Sequence, residues 1–292
     1  MRLLVTGGTG FIGRVLVRQA LASGMEVAVL TRSTPPFGDE RIRWISGTLL
    51  NPDWDAIRGW QPEVCVHGAW IATPGIYLQS PENGIWATAS HQFLTRLSRM
   101  GLQRAIALGT CIEYAMTGQP FREGATPIHP TSPYALAKHQ LHSRLAVDFA
   151  NSGTSLAWAR IFYPYGPGEH PARLASSMIR RLRAGEPIRL KTPESIKDYV
   201  HVEDVGTALI CLVRSAFQGP VNVGSGTGIR IVEFAAILAR LLERPELVEW
   251  ESPEPDPLDQ IVADNQLLRG LGWKPEVKLE TGLAQMIETE SK

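Results

Sequence analysis

With 292 residues, 44% of them hydrophobic, the chain is long enough to bury a large core, as one α/β unit or as a domain with a smaller lobe. Its 29 basic and 29 acidic residues cancel, which removes the electrostatic case for nucleic acid or an anionic membrane surface as a partner. Cys65, Cys111 and Cys211 lack metal-type spacing and no apolar run nears the ~20 residues of a membrane span, so the expectation is a reduced, cytoplasmic protein without a metal.

Met1 runs almost directly into Leu3-Leu4-Val5, leaving no room for a signal peptide. That apolar run stops at Gly7. Helical apolar spacing then starts at Phe11 and continues through Ile12, Val15, Leu16 and Ala20. Strand, glycine turn and helix follow without spare residues. Gly7, Gly10 and Gly13 permit a tight turn, close backbone approach to a pyrophosphate, and close helix packing, while the helix start supplies unpaired N–H groups and positive dipole. The candidate cofactor contacts here are Gly7, Thr9, Gly10, Phe11, Ile12 and Gly13. Residues 26–32 read as a second strand of a buried parallel sheet. An NAD site of this type places an acid about 20 residues beyond the glycines, to accept from the adenosine ribose hydroxyls. Thr31 and Arg32 stand there instead. A guanidinium can pair with a 2′-phosphate that a carboxylate would repel, so NADP(H) is favoured over NAD(H).

Residues 33–40 are turn-rich, 42–46 a short third strand, and 52–59 a helix. Residues 62–70 read as a fourth strand ending in small residues, with His67, Gly68 and Ala69 toward the nicotinamide side; His67 is assigned no chemistry. A helix is expected over 85–100, with Asn83 as a cap or a backbone contact. The apolar part of 103–114 is a fifth strand, with Thr110 at its outer end. After a Gly- and Pro-rich loop, Ser132 and Pro133 are a good N-cap and first residue for a helix on which Tyr134 and Lys138 lie one turn apart. A phenol is a poor acid at neutral pH unless a cation lowers its pKa, and Lys138 is placed to do so while reaching a cofactor ribose. With a hydroxyl from Thr110 to hold a substrate oxygen, these are the parts needed to move a hydride at a carbonyl carbon while a proton moves on its oxygen.

Together these motifs resemble the extended short-chain dehydrogenase/reductases, in the branch acting on nucleotide-activated sugars, over nearly the whole length. The turn at Gly7–Gly13 is similar to the family's cofactor fingerprint, and Thr110, Tyr134 and Lys138 to its catalytic Ser/Thr, Tyr and Lys. Arg160-Ile-Phe-Tyr-Pro-Tyr-Gly-Pro-Gly-Glu169 resembles the segment that crosses the active site, Lys197-Asp-Tyr-Val-His-Val-Glu-Asp204 the family's Arg-Asp-Tyr-Val-His-Val-x-Asp stretch, and Leu271-Gly-Trp-Lys-Pro275 its C-terminal signature. The resemblance implies a Rossmann-type doubly wound parallel sheet over 1–165, with a returning segment near 196–224, and a smaller α/β substrate lobe from 166–195 and 225–292. It adds Phe162 to the cofactor contacts and Tyr163, Arg173 and Lys197, with Thr110, to the substrate contacts. It also implies a homodimer through the helices at 85–100 and 134–150.

Departures narrow the expectation. Dehydratases of the family carry Asp-Glu after the catalytic Thr, whereas Cys111-Ile112 stands here, with Glu113 one place later. Tyr163 replaces the usual Asn, and Lys197 the usual Arg. Pro171–Arg183 is expected as a helix bearing Arg173, Arg180, Arg181 and Arg183, with Arg173 the candidate diphosphate ligand. Further elements are a helix over 202–212, a strand over 220–224, an amphipathic helix over 231–242 and a stiff acidic connector over 251–258. The expected activity is NADP(H)-dependent reduction of a nucleotide-linked 4-keto-6-deoxy sugar, with Tyr134 as proton donor. The alternatives are a nucleotide-sugar 4-epimerase with tightly bound cofactor, a non-enzymatic NADP(H)-binding sensor, and a reductase of a non-nucleotide carbonyl.

Overall fold

A computed structural model describes residues 1–32, 39–250, 256 and 258–289. The turn expected at 33–40 lies outside the described residues as far as residue 38. So does the connector expected at 251–258, Asp256 and Leu258 excepted. The first half runs β1 (Arg2–Thr6), α1 (Phe11–Ala22), β2 (Glu26–Thr31), β3 (Ile42–Ser46), α2 (Trp54–Trp60), β4 (Val64–His67), α3 (Asn83–Arg99), β5 (Arg104–Thr110), α4 (Pro133–Ala150) and β6 (Ser155–Ile161). Next come β7 (Tyr163–Tyr165), α5 (Leu174–Arg183), β8 (Ile188–Leu190), β9 (Ile196–His201), α6 (Val202–Arg214) and β10 (Gly219–Val223). The described chain ends with β11 (Gly228–Arg230), α7 (Ile231–Leu241), β12 (Val248–Trp250), β13 (Gln260–Ile261), α8 (Gln266–Gly270) and α9 (Leu279–Thr289).

Side chains alternate across a strand, so a strand covered on both faces must be apolar almost throughout. In β1, Leu3 and Val5 enter one core with Leu16, Val17 and Ala20 of α1 and Val205, Leu209 and Leu212 of α6. Leu4 enters the opposite core with Phe93, Leu94 and Leu97 of α3 and Leu141 and Leu145 of α4. Full burial of each such side chain contributes about 1.5–3 kcal/mol. The seven-stranded sheet has the order β3-β2-β1-β4-β5-β6-β10, every neighbour parallel. This is the doubly wound α/β fold expected. Its strand order reverses between β1 and β4, which opens a crevice beyond their carboxyl ends.

A third core joins Met178, Ile179 and Leu182 of α5, Phe234 and Leu238 of α7, and Leu283 and Met286 of α9. Beside it β9 pairs with β7, β11 and β13. Chain order underlies this split: β10, although late, completes the main sheet against β6. Two expected boundaries move for local reasons. The strand expected over 62–70 stops at His67, where Gly68-Ala69-Trp70 leave the sheet. The helix expected from Pro171 starts at Leu174, with Arg173 at its N-cap position.

Candidate active site

The glycine turn is dictated by space. Gly7 has φ +72°, and a Cβ there would lie 2.8 Å from the Ala69 amide nitrogen. A Cβ on Gly13 would lie 2.0 Å from the Gly7 carbonyl oxygen, which already accepts from the Gly10 amide at 3.0 Å. The start of α1 is therefore pressed onto the end of β1, with its first amides facing the crevice. Gly7, Thr9, Gly10, Phe11, Ile12 and Gly13 all line that crevice, as do Thr31, Arg32, Gly68 and Ala69. The charged residues among the described lining are Arg32 and Arg173, and no carboxylate is among them. A turn kept open by Gly7, Gly10 and Gly13, with two arginines on the same crevice wall, fits a dinucleotide phosphate.

The opposite wall carries the candidate chemistry. Ser132 caps α4 by accepting from the Ala135 amide at 3.2 Å, and Pro133 is its first residue. Tyr134 and Lys138 follow, with the lysine Nζ 5.8 Å from the phenol ring centroid. Lys138 is buried; its Nζ donates to the Leu108 carbonyl at 2.8 Å and sits 3.8 Å over the Trp70 ring. The Thr110 side chain, at the end of β5, lies near enough to the Tyr134 phenol to favour its ionised form. The three stand together just behind Trp70 and Leu108, which line the crevice, and none of the three is itself in that lining.

The electrostatics correct one expectation. Burial, helped by Tyr77 and Glu113, pushes the Tyr134 phenol above its ordinary value, and the nearby Thr110 side chain opposes this. Burial also brings the Lys138 ammonium down to about 7, opposed by Glu113. Lys138 is therefore not the dominant influence on the phenol, because both groups sit among rings rather than water. The Tyr134 ring meets Tyr77 edge-on at 4.9 Å and Trp70 edge-on at 6.3 Å.

Asn83 builds that aromatic wall. It does not cap α3. Its Oδ1 accepts from Trp70 Nε1 at 2.8 Å, and its Nδ2 donates to the carbonyls of Tyr77 and Ser80 at 2.7 and 2.9 Å. Of the two roles expected for Asn83, the backbone contact is the one made; Trp70 and Tyr77 were missed in the sequence, where the only signal was a Trp just past a strand end.

Other candidates fall elsewhere. His67 points beneath the crevice, between Thr6 Oγ1 at 2.8 Å and Ser90 Oγ at 2.9 Å, and is absent from the lining. Phe162 is not in the lining either: it packs with Phe121, Ile261 and Ala263, so a cofactor contact is not supported for it. Tyr163 is largely covered, 5.9 Å from the Tyr199 ring, and burial raises its phenol well above the usual value. Lys197 is not an open point charge: it is buried, with its Nζ on Asp256 Oδ2 at 2.9 Å and on the Leu258 carbonyl. Arg173 is on the crevice wall itself. Arg180 and Arg181 donate to the Pro171 and Pro187 carbonyls, and Arg183 to that of Ile287.

Glu113 is withdrawn from the crevice. It is fully buried and accepts from the Thr110 amide at 2.8 Å, Trp158 Nε1 at 3.0 Å and Arg160 Nε at 3.2 Å. One of its oxygens also lies within 4.8 Å of ring nitrogens of His139 and His142. Those commitments, and the adjacent Arg160 guanidinium, make this cluster a poor cation site.

Fold and site together define a dinucleotide-dependent enzyme of the short-chain dehydrogenase/reductase type. The chain belongs to the NAD dependent epimerase/dehydratase family, whose model matches residues 3–224. It is 25% identical to UDP-glucuronic acid decarboxylase 1 of Xenopus tropicalis, over 98% of this chain and 71% of that protein. The UDP-glucose 4-epimerase of Thermus thermophilus, solved with NAD, is 27% identical with a TM-score of 0.84, over 99% of this chain and 98% of that one. The UDP-glucose 4-epimerase of Thermotoga maritima, solved with UDP-glucose, superimposes with a TM-score of 0.88 at 23% identity, over 100% and 99% of the two chains. Among the described residues no helix is long and apolar enough to cross a membrane.

Proposed function

We propose that the protein is a nucleotide-sugar 4-epimerase that oxidises and re-reduces the sugar at C4. One observation carries this reading: Tyr134 and Lys138 stand one helical turn apart, with Thr110 near the phenol, against the Trp70 and Leu108 that line the glycine-built crevice. A nicotinamide dinucleotide bound along Gly7–Gly13 supplies the hydride acceptor and donor. Thr110 would orient the C4 oxygen; Tyr134 would have to enter the cycle as its phenolate, its own proton given up to solvent, to take the C4 hydroxyl proton and return it when the hydride comes back, with Lys138 one turn away as the neighbouring cation. Glu113, the acid nearest in sequence to Thr110, is committed to Arg160 and Trp158, and no carboxylate is among the described residues of the crevice lining, which argues against a dehydratase. The likeness to epimerases and decarboxylases favours redox-neutral turnover over the 4-keto-sugar reduction expected from the sequence. We divide the chain into a dinucleotide unit, 1–165 with 196–224, and a substrate lobe, 166–195 and 225–292, on the grounds that β10 joins the main sheet while α5, α7 and α9 share a core.

The test is to give the purified protein UDP-glucose and catalytic NAD and follow the sugar by NMR. The expected product is the C4 epimer without net change in cofactor absorbance, lost by about 100-fold or more in Tyr134→Phe while NAD binding stays within a few-fold. Stoichiometric loss of NADPH on a 4-keto sugar, with no epimer, would establish the reductase instead. No turnover of any nucleotide sugar, with dinucleotide binding intact, would favour the sensor. A second reading, NADP(H) as the cofactor, draws on Arg32 and on a crevice lining without a carboxylate to repel a 2′-phosphate. The known NAD complexes of similar proteins weigh against it, and the ratio of NAD to NADP affinities decides it.

A further inference from the structure

We propose that Trp70 is a positioning residue for the reaction: its indole face holds the Lys138 ammonium charged and in place beside Tyr134. This rests on the reading of Tyr134 and Lys138 as the reacting pair. The indole lines the crevice and stands between it and Lys138, whose Nζ sits 3.8 Å over the ring. A cation over the face of a tryptophan is attracted by the ring's quadrupole, most strongly where water is excluded. Lys138 is 3% exposed, so that condition is met.

The ammonium has little else to hold its charge. Nζ donates to the Leu108 carbonyl at 2.8 Å. On its own helix it faces Tyr134, whose ring centroid is 5.8 Å away. From β4 it faces His67, which burial keeps neutral between Thr6 and Ser90. Beyond β5 stands Glu113, a carboxylate that favours the ammonium from a distance while its oxygens accept from the Thr110 amide, Trp158 and Arg160. Burial of a cation without a contacting counter-ion favours the neutral amine, which is why Lys138 is brought down to about 7. The indole is the neighbour that opposes this by direct contact.

Trp70 is locked in that pose. Its Nε1 donates to Asn83 Oδ1 at 2.8 Å, and the buried Asn83 is itself fixed by donating to the carbonyls of Tyr77 and Ser80. The same loop is pinned to the start of α4, because the Tyr134 amide donates to the Leu78 carbonyl at 3.2 Å. Turning the indole off Lys138 would leave a buried acceptor on Asn83 unpaired, which opposes the movement. The ring also meets Tyr134 edge-on at 6.3 Å, so one rigid body abuts both groups.

The test is an NMR titration of the lysine ε-carbons in the full chain, which has few lysines, with Lys138→Arg assigning the signal. A fluorinated tryptophan at position 70 keeps the ring's shape and weakens its quadrupole; Trp70→Phe keeps an aromatic face, and Trp70→Leu removes it. The charge is lost as pH rises through the Lys138 midpoint. That midpoint is expected to fall by a few tenths of a pH unit with the fluorinated ring and by about one pH unit in Trp70→Leu, with Trp70→Phe between wild type and Trp70→Leu. The decline of UDP-glucose turnover at high pH should move down with it, with KM within a few-fold. A midpoint unchanged or raised with the fluorinated ring overturns the assignment, whether or not Trp70→Leu folds. A wild type that turns over no nucleotide sugar would sink the epimerase reading, and the midpoints would still decide whether Trp70 holds the charge.

Discussion

The buried Glu113 separates a structural carboxylate from a chemical one. All its partners are donors: the Thr110 amide, the Trp158 indole and the Arg160 guanidinium. Glu113→Gln keeps shape and volume but turns one oxygen into an NH2 that must face another donor. It also leaves the Arg160 charge, 3% exposed, without its counter-ion. Breaking a buried pair from one side costs about 3–5 kcal/mol, whereas removing both partners costs much less. Arg160 has a second tie, Nη1 to the Tyr114 hydroxyl at 2.9 Å, so some compensation is available and the low end of that range is expected. Urea unfolding of Glu113→Gln, Arg160→Met and the double variant should give a double variant less destabilised than the sum of the singles. Turnover at saturating substrate should fall only as far as the Thr110 position is disturbed, about 10-fold. A Glu113→Gln protein within about 0.5 kcal/mol of wild type that has lost turnover by over ~100-fold would refute the reasoning, because Glu113 would then be acting on substrate.

Three further outcomes are expected. Gly13→Ala must move its new Cβ away from the Gly7 carbonyl, costing about 1–3 kcal/mol and weakening dinucleotide binding, while Gly59→Ala, with open space around it, should be neutral or slightly stabilising; cofactor affinity of Gly13→Ala within two-fold of wild type contradicts this. Burial holds His67 down to about 3 and His142 down to about 4, so the unfolded chain takes up protons at about 6.5 that the folded one does not. Stability is therefore lost as pH falls from 6.5 toward 4, by about 1.4 kcal/mol per unit for each histidine, and His67→Gln should have a shallower slope; parallel stability curves for the two proteins would exclude it. Leu136 and Val147 on α4 and Ile85 on α3 are 45%, 69% and 58% exposed on neighbouring helices, which fits the expected homodimer. Val147→Glu should then sediment as a monomer, and a wild type already monomeric at micromolar concentration disposes of the idea.

The frame of the fold is legible in the chain alone. Continuous apolar runs ending at Gly7, Thr31 and Thr110 can be satisfied only by a sheet covered on both faces, and glycine spacing and the Ser132-Pro133 start fix where two helices begin. Tyr134 and Lys138 were legible for the same reason, since one helical turn brings them together whatever lies around them. Contacts between distant segments were not. Lys197 meets Asp256 across 59 residues and Glu113 meets Arg160 across 47, so their charges look open in the chain and are closed in the fold. The phenol's environment also comes from afar, from Trp70 and Tyr77 held by Asn83. Burial, which no local pattern encodes, decides that the Tyr134 phenol is raised and the Lys138 ammonium lowered. Arg173 shows the division most directly: the chain marks it as a phosphate ligand, and tertiary packing puts it on the crevice wall beside Phe11.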